Sequence, residues 1–287
     1  FANFFRRMKD KSCKEKGFPR FKSRVNSITF PQSGFKFISN KRIKLSKIGS
    51  IPIILHRVPK GKIKTLTIKQ NKAGQWFAVF ACELPDTKVK HPSSEKVGID
   101  VGLENFATLS NGESIENPRF FRREEKALAK AQRHLSKAVK GTSERTKRRR
   151  VVARIHERIT NRRKDFAHQY SRKIINQYGV IVAEKINSSG MLRNHCIAKS
   201  IQDAAWSQFT QYFSYKAEWA GRKFITVNPA YTSQTCSRCG HRQSMPLSER
   251  VFSCPCCDLS LNRDHNAARN ILALGLQSIG NQSVEAA

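Results

Sequence analysis

The chain has 287 residues, 39% of them hydrophobic, and sets 54 Lys+Arg against 21 Asp+Glu, a formal net charge of +33 at pH 7. The length suits about two domains with a real core, and no apolar run of about 18 residues offers a transmembrane helix. No charged-then-apolar leader is visible, so secretion is not expected. Such an excess of cations repels itself unless a polyanion neutralises it, which makes nucleic acid the expected partner, ahead of a merely solvated basic face or a membrane-surface patch.

The opening stretch FANFFRRMKD places Phe1, Phe4, Phe5 and Met8 at i, i+3, i+4 and i+7 and predicts the end of an amphipathic helix. A fold rarely begins inside such a helix, and no initiator Met precedes it, so the chain is expected to be N-terminally truncated. In KGFPRFKSR, Phe18 and Phe21 can stack on bases or enter a core, and Lys22 is a candidate nucleic-acid contact. SITF, FKFIS, RIKLSKI, IPIILH, KTLTIKQ and WFAVFACEL then alternate between glycines at turn-like spacing. They predict an all-β module over 1–94, a sandwich or small barrel, with HPSSE at 91–95 as linker.

From residue 97 the pattern changes to VGIDVGLENFATLSNGESIE: a buried strand ending in an Asp, then a hairpin whose NG pair is a strong turn signal. Two helical stripes follow over 122–178, Leu128/Ala131/Leu135/Ala138 and Val152/Ile155/Ile159/Phe166/Tyr170/Ile174. Their outer faces are basic, and KGTSERTKRRR is expected to be the turn between them. Arg148, Arg149 and Arg150 in that turn either clamp a phosphate backbone or form a solvated turn. GVIVAEKI (179–186) and KFITV (223–227) read as strands, with one helix at about 200–220 between them, stopped by Gly221. NRDHNAARNILALG opens a last helix.

Five of the eight cysteines cluster between 236 and 257, which reads as a metal site in a reducing compartment rather than a disulfide scaffold. Cys236-x2-Cys239, 14 residues, then Cys254-x2-Cys257 fits two knuckles around one tetrahedral Zn²⁺. Cys256 is the spare and competes with Cys257 for the fourth position. Four thiolates close the shell, so this zinc is structural. Asp100 and Glu184 each end a buried strand, and Asp264 starts a helix. Buried carboxylates are costly without a cation. Three of them together can hold one or two Mg²⁺, the arrangement that phosphodiester hydrolysis uses; pairing with local Lys or Arg is the alternative for each alone. No His-x-His pair supports single-strand transposase chemistry, and no phosphate-binding G-x-x-x-x-G-K-[ST] supports ATP-driven action.

VGIDVGLENFATLSNGE, GVIVAEKINSSGM and YTSQTCSRCG…FSCPCCDLSLNRDHNAARNIL, in that order, resemble the transposon-encoded TnpB (OrfB) proteins, RuvC-like nucleases related to compact type V CRISPR effectors. The likeness covers the whole chain. It implies a mixed α/β RNase H-like (RuvC) core over 95–287, with an inserted basic helix pair at 122–178 and a zinc ribbon at 231–262, preceded by an incomplete β-barrel (WED-like) module at 1–94. It implies Asp100, Glu184 and Asp264 as the catalytic Mg²⁺ triad, and Cys236, Cys239, Cys254 and Cys257 as zinc ligands. It implies a guide RNA from the transposon end directing DNA cleavage, in the cytoplasm or on the nucleoid. The family's first barrel strand and helical recognition insert would precede Phe1. Asp258 stands where the second knuckle usually has Gly, and Asp tolerates the left-handed backbone required there. A nuclease-inactive regulator and a truncated inactive fragment are the rival readings.

Overall fold

The computed structural model describes residues 2–10, 12, 17–18, 25–84, 93–246 and 248–285. The chain divides into two compact units, Phe1–Asp86 and Thr87–Ala287. Lys22 and Phe21 lie outside the described residues. Among the described residues, no helix is long and apolar enough to cross a membrane.

The first unit opens with α1 (Ala2–Lys9), an amphipathic helix of about two turns with no buried residue. Six short strands follow: β1 (Ser27–Pro31), β2 (Phe35–Ser39), β3 (Arg42–Leu45), β4 (Gly49–Pro52), β5 (Lys62–Gln70) and β6 (Trp76–Glu83). They pair antiparallel into two three-stranded sheets, ordered β1-β5-β6 and β2-β3-β4. One core of Phe30, Ile43, Leu45 and Leu66, flanked by Phe35, Phe37 and Phe80, lies between them. The alternation of apolar and polar residues supplies one inward face per strand, which is why these short stretches form sheets.

The second unit contains β7 (Lys96–Val101), β8 (Asn105–Leu109), β9 (Ser114–Glu116), α2 (Phe120–Ser136), α3 (Ser143–Gln177) and β10 (Val180–Glu184). After these come α4 (Ser188–Met191), α5 (His195–Ala204), α6 (Trp206–Trp219), β11 (Lys223–Val227), β12 (Val251–Ser253), β13 (Ser260–Asn262) and α7 (Arg263–Glu285). Five strands form one mixed sheet, β11-β10-β7-β8-β9. β11, β10 and β7 run parallel, while β8 and β9 pair antiparallel. The Asn111-Gly112 turn joins β8 to β9, with Gly112 at φ 92.

Period-2 alternation assigns the two faces of this sheet. Val97, Ile99, Ile181 and Ala183 share a core with Ile174, Phe209 and Phe213, so α3 and α6 cover that face. Gly98 and Val182 point the other way, onto α7: a Cβ at Gly98 would lie 2.1 Å from the Ala268 carbonyl, and one at Gly275 of α7 would lie 2.4 Å from Val182.

Two expectations are corrected. The helix anticipated at 200–220 is two helices. Ala205 takes a left-handed conformation (φ 55), and its N–H donates to the Ile201 carbonyl, closing α5 before α6 begins. Asp203 at this break accepts from Arg163 and from the Phe121 backbone N–H, while Trp206 turns into the core. The turn anticipated through KGTSERTKRRR ends early, because Thr142 caps α3 by accepting from the Arg145 N–H, so Ser143 onward is helical.

Candidate functional site

The parallel register of β7 and β10 pairs Gly98 with Val182 and Ile99 with Ala183. One step further along each strand come Asp100 and Glu184. By alternation both share the face that carries Gly98 and Val182, the one covered by α7. Asp264 sits in the first turn of α7. Asn262 caps this start, its Oδ1 accepting from the Asp264 and His265 N–H groups. His265 Nε2 lies 3.1 Å from the Ser110 carbonyl oxygen at the β8–β9 hairpin, tying the helix start to the sheet. Asp264 Oδ2 overhangs Gly102, 3.8 Å from where a Cβ there would be.

All three carboxylates are half-buried. Burial, then the neighbouring charges of Glu184 and Asp264, raise Asp100 well above the ordinary carboxylate range, against a smaller opposing pull from Arg263. Burial raises Glu184 to about 7. Asp100 therefore feels the negative charge of both other members of the sequence-predicted trio. A multivalent cation relieves such repulsion, and hard oxygen donors suit Mg²⁺.

The cysteines converge more tightly. The thiols of Cys236, Cys239, Cys254 and Cys257 all lie within 4.8 Å of one another. Cys236 Sγ is 3.6 Å from Cys257 Sγ, and Cys239 Sγ is 3.5 Å from Cys254 Sγ. These separations far exceed a disulfide bond. They approach the roughly 3.8 Å edge of a tetrahedron with Zn–S bonds of about 2.3 Å. Cys256 is exposed and outside the cluster, so Cys257 takes the fourth position.

The two knuckles repeat one hydrogen-bond pattern. The Gly240 N–H donates to Cys236 O and the Asp258 N–H to Cys254 O; the Cys236 N–H donates to His241 O and the Cys254 N–H to Leu259 O. Gly240 (φ 77) and Asp258 (φ 54) occupy equivalent left-handed positions. Burial alone would raise the Cys236 thiol, but hydrogen bonds from the backbone N–H groups of Cys239 and Arg238 and from the Cys257 and Cys239 thiols together outweigh it and bring it down to about 6. The knuckles are anchored to α7, since Asn266 accepts from the Ser237 N–H and donates to Thr235 O.

The anticipated basic contacts are dispersed. Arg148 pairs with Glu144 at 2.7 Å and reaches the His134 carbonyl, while Arg149 and Arg150 are exposed. Consecutive residues on a helix point about 100° apart, so these three do not form one clamp. Phe18 is 84% exposed and stacks on Phe4. Sequence reasoning missed the ion pairs that brace the helix layer: the buried Arg163–Asp203 pair at 2.7 Å, and the half-exposed Arg158 and Arg162 converging on the buried Glu124. A carboxylate in a helical stripe gives no one-dimensional signal of its partner.

Residues 79–195 match the family model OrfB_IS605, described as "Probable transposase", and residues 206–271 match the "Cas12f1-like, TNB domain". The chain is 39% identical to the "Putative RNA-guided DNA endonuclease" of Streptomyces pristinaespiralis, aligning 96% of this chain with 68% of that one. It is 34% identical to a protein of the same description, InsQ of Escherichia coli (strain K12), aligning 96% of this chain with 71% of that one. Among solved structures, the Cas12f1-sgRNA-target DNA complex superposes with a TM-score of 0.54 at 21% identity. That match covers 73% of this chain but 45% of the other, so this chain spans less than half of it and shares its fold there. The mixed sheet with its α7 cover, the four-cysteine cluster and these matches together place the chain in the TnpB (OrfB) family, related to Cas12f1.

Proposed function

We propose that the chain is the nuclease portion of an RNA-guided, Mg²⁺-dependent DNA endonuclease. Residues 95–287 act as an RNase H-like (RuvC) core with a zinc ribbon at 231–262, and residues 1–94 before it are a WED-like nucleic-acid module. The observation that carries this reading is the placement of Asp100 and Glu184 on the α7 face of the sheet and of Asp264 in the first turn of α7, where Asp100 feels the charge of the other two. At Asp100, burial and the charges of Glu184 and Asp264 outweigh the opposing pull of Arg263. The names of the curated relatives and the net charge of +33 support nucleic acid as the substrate class.

Asp100, Glu184 and Asp264 would hold one or two Mg²⁺. Bound there, the ions would activate water and stabilise the leaving oxygen of a phosphodiester. The protein's own contribution is to fix the three carboxylates on rigid elements. Asp100 and Glu184 stand on adjacent strands, Asn262 caps Asp264's helix, and His265 ties that helix to the β8–β9 hairpin. The four cysteines would hold a structural Zn²⁺, with no open position for water.

The test is cleavage of a labelled DNA duplex by the chain with a guide RNA from the transposon end and Mg²⁺. Parent cutting that disappears in Asp100→Ala and Glu184→Gln, with DNA affinity within about twofold, is the expected result. Undiminished cutting by Asp100→Ala overturns the metal assignment. A parent that binds but never cuts favours the regulator reading.

A further inference from the structure

Helices α3 and α6 enclose an open groove of about 390 Å³ on the helix layer. His168, Gln169, Arg172, Tyr215, Lys216 and Trp219 line it. α6 sends Phe209, Phe213 and Ala217 into the core, and its other side carries these aromatics. Their rings form a continuous row. His168 stacks on Tyr212 with centroids 4.0 Å apart, Tyr212 meets Tyr215 edge-on at 5.9 Å, and Tyr215 meets Trp219 at 5.0 Å. Trp219 ends the row 64% exposed.

Lys216 lies in this groove and is only 4% exposed. Its Nζ donates to the His168 carbonyl at 2.9 Å and to Ser171 Oγ at 2.7 Å, and it sits 5.4 Å from the Tyr212 ring. None of the lining residues is a carboxylate, although Asp165 accepts from the lining Gln169; the charged neighbour that Lys216 feels is Arg172, another cation. Burial and that cation bring Lys216 down to about 8, so it is still mostly charged at neutral pH without an anionic partner. An exposed guanidinium at Arg172, the charge of the buried Lys216 behind it and the exposed ring of Trp219 form a combination that an unpaired nucleotide complements. The phosphate meets the exposed Arg172, with the buried Lys216 adding only its charge from below, and the base stacks on Trp219.

We propose that this groove binds an unpaired nucleotide of RNA, on the opposite side of the sheet from the carboxylates. The choice of RNA rests on the nuclease reading, because a strand seated against α3 and α6 is not the strand lying at Asp100. Unpaired RNA bases are also the ones that proteins splay onto aromatic side chains. His168 is exposed at the rim, where a 2′-hydroxyl can meet its ring, while the Gln169 amide N–H donates to Asp165 at 2.8 Å.

The experiment measures fluorescence anisotropy of a labelled, unstructured 12-nucleotide RNA and its DNA counterpart on the full chain. It is run without divalent ions, so no cleavage occurs. Trp219→Ala is expected to weaken RNA binding roughly tenfold at every salt concentration, leaving the salt slope intact, because stacking releases no counterion. Trp219→Phe is expected to retain most of the affinity, and DNA binding to change less than twofold. A 4-thiouridine in the same RNA is expected to crosslink to Tyr215 or Trp219. Unchanged RNA affinity in Trp219→Ala, an equal loss for DNA, or crosslinks confined to other elements would each overturn the proposal. If RNA binding depends on Trp219 while the Mg²⁺ cleavage assay is negative, the groove stands and the nuclease reading fails.

Discussion

Gly98 of β7 faces the Ala268 carbonyl of α7 so closely that a Cβ would lie 2.1 Å from it, and 2.8 Å from Leu272 Cβ. The obstruction on the first side is backbone, which cannot rotate away. This contact sets the height of α7 above the sheet two residues before Asp100, and so the distance from Asp264 to the strand carboxylates.

Gly98→Ala is expected to push α7 outward. A loss of about 1–3 kcal/mol, the usual cost of overpacking a closed core, should appear in urea denaturation. Mg²⁺-dependent cutting should fall by more than stability alone explains, because Asp264 moves with the helix. Wild-type stability and cutting in this variant would show that α7 is not held at this height by the contact.

The carboxylates make metal-free stability depend on pH. Burial raises Glu184 from an ordinary 4.5 to about 7, and Asp100 is raised further by the charges beside it. A raised carboxyl binds its proton more tightly folded than unfolded. The stability that Glu184 contributes is therefore full below about 4.5 and is lost as pH rises through about 7. In divalent-free buffer, Glu184→Gln should melt closer to the parent at pH 5 and clearly above it at pH 8. Adding Mg²⁺ at pH 8 should stabilise the parent and leave the variant unaffected. Calorimetry reads both, and a parent-to-variant difference that is flat with pH refutes the assignment.

The cysteine cluster predicts a discriminating pair of variants. Elemental analysis of the purified protein should find about one zinc per chain. Cys236→Ser should lose it together with solubility, whereas Cys256→Ser should keep it, since Cys256 lies outside the cluster. Retention of zinc by the first variant, or loss by the second, would reassign the ligands.

Asp203 is 7% exposed, takes a hydrogen bond from Arg163 at 2.7 Å and accepts the Phe121 N–H at 2.9 Å. Removing it strands a guanidinium that is itself largely buried. Asp203→Ala should cost about 3–5 kcal/mol in denaturant unfolding. Asp203→Asn should cost less, because its amide oxygen can still accept from Phe121. Replacing both partners by apolar residues should recover much of the loss. A near-neutral Asp203→Ala would mean that the pair contributes little to holding α2 on α5.

Sequence alone made several features legible because they are local. The β stretches before residue 85 announce themselves by alternation, Asn111-Gly112 by turn chemistry, and the knuckles by cysteine spacing and the left-handed positions at Gly240 and Asp258. Asp100, Glu184 and Asp264 stood out because carboxylates are scarce in so basic a chain. Period and spacing carry no information about partners far along the chain, so the tertiary structure decided the rest. It excluded Cys256 from the cluster, bent the 200–220 helix at Ala205 to accommodate Asp203 and Trp206, and turned the three arginines at 148–150 to different sides of one helix. It also brought His168 and Arg172 of α3 beside Tyr215, Lys216 and Trp219 of α6. That groove exists because α3 and α6 bury their apolar stripes against the same face of the sheet, which leaves their remaining sides facing each other at the surface.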